Sequence, residues 1–184
     1  MRYADDAILH CRTKAEAEQT LEALDERMKA CGLELHPEKT KLVYCRDYHR
    51  QEKHETVKFD FLGYSFQPRS TKSKQTGKLF LGFDCAVSIS SRKRIADKLE
   101  ELEIHRLNFK SIVGVASYLE PLIRGWINYY GKFRITELNP VFLLLRQRIV
   151  WWVRKRYKRY KTNMNKAYCW LDKVKKQFPN IFQD

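Results

Sequence analysis

Two carboxylates stand side by side at Asp5 and Asp6, inside the tetrapeptide Tyr3-Ala4-Asp5-Asp6. Short apolar runs flank them, which is the pattern of a tight hairpin carrying acids at its tip. Adjacent carboxylates concentrate negative charge at one point, the oxygen-rich setting that Mg²⁺ favours. A pair of such ions can polarise an attacking hydroxyl and stabilise a departing pyrophosphate in nucleotidyl transfer. An Asp-Asp turn without chemistry is the plain alternative, because Asp favours turns.

A second constellation is basic. Residues 132–161 hold ten Lys or Arg against the single acid Glu137, a net +9 out of +14 for the whole 184-residue chain. Trp151, Trp152, Tyr157 and Tyr160 interleave with these charges. Cations neutralise phosphates and aromatic faces stack on unpaired bases, so the segment reads as a nucleic-acid surface. The stripe Leu145, Ile149 and Trp152 is expected to be core. RNA contact is expected at Arg146, Arg148, Arg154, Lys155, Arg156, Lys158 and Arg159. Further back, Arg124 and Asn128 lie four apart and could touch phosphate or ribose. Gly125 between them is unfavourable in a helix by roughly 1 kcal/mol relative to Ala, which suggests close packing by a helix or a nucleic-acid backbone. Arg69, Lys72, Lys74 and Lys78 offer a weaker phosphate contact.

Composition bounds these readings. With 36 Lys or Arg against 22 Asp or Glu, the chain favours a polyanion partner. No run of 18 uncharged apolar residues exists, so no membrane-spanning helix is expected. The five cysteines at 11, 31, 45, 85 and 169 form no paired Cys-x-x-Cys knuckle. That argues against a zinc ribbon or disulfide framework and fits a reducing, cytoplasmic setting.

Several elements must position these groups. Thr13 and Glu16 form a capping box for a helix over about 14–31. Its apolar face is Ala17, Leu21, Leu24, Met28 and Cys31, and Gly32 stops it. Two strand-like pieces follow, 33–35 and 41–45, and then a polar connection over 46–56. Residues 57–66 alternate like a half-buried strand. A basic loop over 67–77 and a second strand over 78–84 make a long-looped hairpin. After about residue 88 the pattern turns helical. A helix over 92–103 is capped by Ser90 or Ser91. The next covers 111–131 with a bend at Pro121, a third covers 137–160, and a last covers 164–177 before Pro179. The fold class is α+β.

The order of segments resembles a known family. Tyr3-Ala4-Asp5-Asp6, an amphipathic helix, Gly-Leu-Glu-Leu-His-Pro-Glu-Lys-Thr-Lys at 32–41 and Phe-Asp-Phe-Leu-Gly-Tyr-Ser-Phe at 59–66 resemble the second half of a reverse-transcriptase palm. Leu-Glu-Pro-Leu-Ile-Arg-Gly-Trp-Ile-Asn-Tyr-Tyr-Gly-Lys-Phe at 119–133 resembles the maturase-specific domain of group II intron reverse transcriptases. The resemblance implies a partial palm over 1–87, then a helical thumb and maturase lobe over 88–184. It implies that Asp5 and Asp6 are catalytic ligands of Mg²⁺, with Asp5 the more direct, and that Tyr3 and Ala4 lie by the primer end. Lys39 resembles a lysine placed near the triphosphate. Phe61-Leu62-Gly63-Tyr64 resembles the primer grip, where Gly63 permits close backbone approach.

In the family, a further metal-binding Asp and the fingers lie upstream of the Tyr-x-Asp-Asp hairpin. The expectation is therefore a C-terminal part, inactive as a polymerase unless an upstream half is supplied separately. Its expected partners are structured intron RNA and a DNA target or primer, and its Mg²⁺ site is expected to be incomplete. The competing reading is a non-catalytic basic DNA-binding module, which leaves the ordered palm motifs unexplained.

Overall fold

The structure is a computed structural model that describes residues 1–73 and 75–177. Lys74 and Pro179 lie outside the described residues. The α+β expectation holds: two small sheets precede a helical lobe. The chain divides into two compact units. One comprises Met1–Phe61 and Phe66–Asp84. The other takes in Leu62–Ser65 and everything described from Cys85 onward.

The first unit opens with the expected hairpin, β1 (Arg2–Tyr3) against β2 (Asp6–Ala7), in the register Arg2 to Ala7 and Tyr3 to Asp6. Helix α1 (Lys14–Ala30) starts where the sequence says it should, with the Glu16 amide donating to Thr13 Oγ1 at 3.2 Å. The Glu16 carboxylate reaches back to the amide of Arg12, at 2.7 Å, rather than to that of the cap residue. At the other end Gly32 takes φ +70°. The Leu33 amide bonds the Met28 carbonyl and the Gly32 amide bonds the Lys29 carbonyl, which closes a Schellman motif. The apolar face of α1 is covered less than its pattern suggests. Ala17, Leu21, Leu24 and Met28 are half-buried, Cys31 is exposed, and no residue of the helix is fully buried.

Three expectations for the strands need correction. Segments 33–35 and 41–45 pair with no strand. Instead Pro37, Glu38 and Lys39 form a turn on the His36 carbonyl, and the Tyr44 amide makes one isolated bond to the Thr56 carbonyl. Without a neighbouring ladder, β-propensity alone does not make a strand. Residues 57–66 are also not one strand. They fold into β3 (Phe59–Phe61), a two-residue turn at Leu62-Gly63, and the start of β4 (Tyr64–Lys72). The basic loop expected over 67–77 is mostly strand, and β5 (Leu79–Val87) completes a sheet of order β3-β4-β5. Phe59 stacks on Phe66 at 4.8 Å, which explains why the β3-β4 register is held.

The second unit is built on four helices. Helix α2 (Ile89–Glu101) begins three residues earlier than expected. Its cap is Ser88, whose hydroxyl accepts from the Ser91 amide at 3.1 Å. Helix α3 (Ile112–Tyr130) is capped by Ser111 and runs through Pro121, and α4 (Asn139–Arg156) and α5 (Met164–Gln177) follow. The α5 boundaries are those the sequence predicts. Val87, Leu99, Ile104, Val115, Leu119, Leu138, Val150, Trp152 and Val153 are nearly or wholly excluded from solvent and form one core. The Trp152 indole donates to the Leu107 carbonyl at 2.8 Å, so its polar atom is satisfied inside that core.

Candidate nucleic-acid interface

The acidic hairpin is small and open. Ala4 and Asp5 form its turn, with Ala4 at φ 48°, and Asp6 sits on β2 opposite Tyr3. Only Asp5 of the two acids therefore lies at the tip. All of Tyr3, Ala4, Asp5 and Asp6 are exposed. Lys39 is exposed on its own turn. Among the described residues, no group of three or more His, Cys, Asp or Glu side chains is gathered to hold a metal ion. Two exposed carboxylates do not by themselves make a site that fits Mg²⁺.

The Leu62-Gly63 turn is held much more firmly. Leu62 has φ 49° and Gly63 φ 79°, the double left-handed geometry of the tightest hairpins. The Leu62 carbonyl accepts from the Tyr129 hydroxyl at 2.9 Å, and the Gly63 carbonyl accepts from the Ser88 amide at 2.9 Å. The Tyr64 hydroxyl donates in return to the Tyr129 carbonyl. A Cβ at Gly63 would lie 2.8 Å from Ser91 Oγ and 3.2 Å from the Tyr130 ring. Glycine is thus required for close approach as well as for conformation. Burial, more than the neighbouring Tyr129, Cys85 and Tyr130, pushes the Tyr64 hydroxyl above the ordinary phenol range.

The basic residues separate into engaged and free. Arg146 is bonded to Asp172 and lies 5.1 Å over the Tyr168 ring. Tyr168 and Asp172, four apart on α5, are partners the sequence reading missed, although their spacing puts them on one face. Arg148 is largely covered, 5.0 Å over Trp151 and 3.7 Å from Glu100. Arg154 donates from Nε and Nη2 to the Lys161 carbonyl at 3.2 and 2.8 Å, tying down the chain after α4. Arg124 pairs with Glu120 one turn earlier, while Asn128 is exposed. Lys155, Arg156, Lys158 and Arg159 are exposed and bonded to no carboxylate among the described residues. Arg159 packs 5.3 Å over Tyr160.

The four aromatic residues interleaved with these charges are covered to different degrees. Trp152 and Tyr160 are buried, Trp151 and Tyr157 are half-buried, and the rings that meet the latter two are those of His105, edge-on at 6.4 Å, and Trp170, tilted at 5.3 Å. The close packing expected at Gly125 is not seen among the described residues. It is exposed, with nothing within 4 Å of a Cβ placed there. Lys72 and Lys78 are exposed on either side of the β4-β5 turn, and Arg69 has its Nε buried in β4.

A small α+β part bearing an Asp-Asp hairpin is thus followed by a basic helical lobe. Residues 1–66 match the reverse transcriptase (RNA-dependent DNA polymerase) family, and residues 92–170 match the group II intron, maturase-specific domain. The chain thus joins reverse-transcriptase sequence to a group II intron maturase-specific domain, as its motif order led us to expect. That domain implies an intron-associated role. The reverse-transcriptase family generally uses Mg²⁺. No curated protein matches the chain. No helix among the described residues is long and apolar enough to cross a membrane.

Proposed function

We propose that this protein binds structured group II intron RNA and stabilises its folded, splicing-competent form. The splicing chemistry belongs to the RNA, so the protein's part is binding. The observation that carries the reading is the cluster Lys155, Arg156, Lys158 and Arg159. These four cations are exposed at and just after the end of α4, inside the maturase-specific segment, and none is bonded to a carboxylate among the described residues. Such groups are free to displace counterions from phosphate. Arg124, Asn128, Arg146 and Arg148 form an outer set, of which Asn128 is the least engaged within the protein.

RNA-directed DNA synthesis is the second activity. It is proposed only together with an upstream reverse-transcriptase half that supplies the remaining acid and the fingers. Asp5 and Asp6 would then complete the acidic set, and the Leu62-Gly63 turn would meet the primer. A filter-binding assay with group II intron RNA tests the first activity. Replacing all four cluster residues by Ala should cut affinity by at least about tenfold, given the share that phosphate contacts supply. Unchanged affinity sinks the reading.

A further inference from the structure

We propose that Tyr129 is a positioning residue: helix α3 of the lobe, through this side chain, sets how the Leu62-Gly63 turn is presented to nucleic acid. The inference rests on the reading of that turn as a primer contact.

The turn does not hold itself. Leu62 has a Cβ and yet lies in the left-handed region, a conformation that persists where surrounding structure over-determines it. Here the surrounding structure is specific. Each of the two turn carbonyls has a donor from the helical lobe, Tyr129 Oη for Leu62 and the Ser88 amide for Gly63. The return bond from Tyr64 reaches the Tyr129 carbonyl, in the last turn of α3, where main-chain carbonyls have no partner within the helix. The Tyr129 hydroxyl thus ties down the Leu62 carbonyl, and the Tyr64 hydroxyl, two residues further along the hairpin, ties down the Tyr129 carbonyl. Their rings lie 5.6 Å apart, and Phe133 meets Tyr64 edge-on at 5.3 Å. Ser91 and Tyr130 lie so close beside Gly63 that a Cβ there would meet both.

Tyr129 contributes little to the core that would otherwise explain it. Its side chain is 47% exposed and it is not among the residues packed against the hydrophobic cluster, whereas Tyr130 is. Asn128, its neighbour, is exposed. A hydroxyl on a half-exposed ring is a directional constraint on the turn rather than a source of buried area. Helix α3 also carries Arg124 and Asn128, so RNA held there and a primer held at the turn would share one rigid support.

The test uses the full chain with two labelled ligands, an RNA–DNA primer–template hybrid and a structured group II intron RNA. Tyr129→Phe deletes the hydroxyl and keeps the ring. It should weaken hybrid binding about fivefold, as loss of one directional hydrogen bond allows, with intron RNA affinity and melting temperature nearly unchanged. Tyr64→Phe, which removes the return bond, should give the same selective loss. Equal affinities for Tyr129→Phe and the parent protein overturn the inference while leaving the RNA-binding reading intact. Equal weakening toward both ligands makes Tyr129 a general stability residue and overturns it as well. A parent protein that binds intron RNA but no hybrid removes the primer-contact reading, and the inference with it.

Discussion

A single guanidinium nitrogen of Arg146 donates to both carboxylate oxygens of Asp172, at 2.7 and 2.8 Å, bridging α4 and α5. The pair is partly exposed, with side-chain exposures of 41% and 54%. Its contribution to stability is therefore small, about 1 kcal/mol at most after solvent screening. The charge is already spent within the protein. Arg146→Ala should lower the melting temperature by a few degrees, about 2–4 °C, measured by circular dichroism. It should change intron RNA affinity much less than loss of the α4 terminal cluster does. A loss of RNA binding as large as the cluster's would mean that Arg146 leaves Asp172 to engage phosphate.

Arg154 and its neighbours Lys155 and Arg156 should behave as different residues despite adjoining positions. Arg154 holds the Lys161 carbonyl, so Arg154→Ala is expected to act on stability. The cluster Lys155, Arg156, Lys158 and Arg159 is expected to act on binding. Each phosphate contact adds roughly 0.7–0.9 to the slope of log affinity against log salt. Four Ala substitutions should make that slope shallower by about 3 if all four touch phosphate. A salt titration showing an unchanged slope would place the RNA elsewhere on the lobe.

The acidic hairpin should exchange its amides quickly. Residues 1–6 are all exposed, and the strands pair over two residues each, extended by the mutual bonds between Met1 and Ile8. A two-stranded ribbon of this size is marginal in water. The α4 amides around Ile149–Val153 lie in the core and should be slow. Equal protection across both regions, read by mass spectrometry, would point to a second copy or another segment pairing with the hairpin.

Tyr64 should ionise above the ordinary phenol range. Its phenol is raised by burial first, so the folded protein prefers the neutral form. The sign follows from linkage: the unfolded chain releases this proton near pH ~10, the folded chain later. The stabilisation from the neutral phenol is therefore complete below pH ~10 and is lost as pH rises through the folded value. Ultraviolet difference titration of the parent protein against Tyr64→Phe should show the missing transition at the alkaline end. A transition at ordinary pH would show that the hydroxyl is open to water.

The helices were largely legible in the sequence, because their caps and apolar spacing are local signals. Thr13 and Gly32 act where their chemistry says they should. Ser88 was overlooked because Ser90 and Ser91 follow it closely, and which hydroxyl takes the cap is decided by backbone direction. The strands were harder. The two-residue turn usually announces itself as Asn-Gly or Asp-Gly, and Leu62 hides it; the groups that bond its carbonyls, the Tyr129 hydroxyl and the Ser88 amide, come from far along the chain. The candidate interface was legible as a stretch of charge but not as individual roles. Arg146, Arg148 and Arg154 carry the same charge as Arg156, and only their partners at Asp172, Glu100 and Lys161 tell them apart.

Helix α1 has no fully buried side chain, while every member of the main core comes from Val87 onward. The molecule is therefore not expected to melt as one cooperative unit. A calorimetric scan should resolve a broad, low-enthalpy event, assigned to the segment that includes α1, ahead of the sharper transition of the helical lobe. Mutational tolerance should follow the same division: a substitution on α1 registers in the first event and leaves the second where it was.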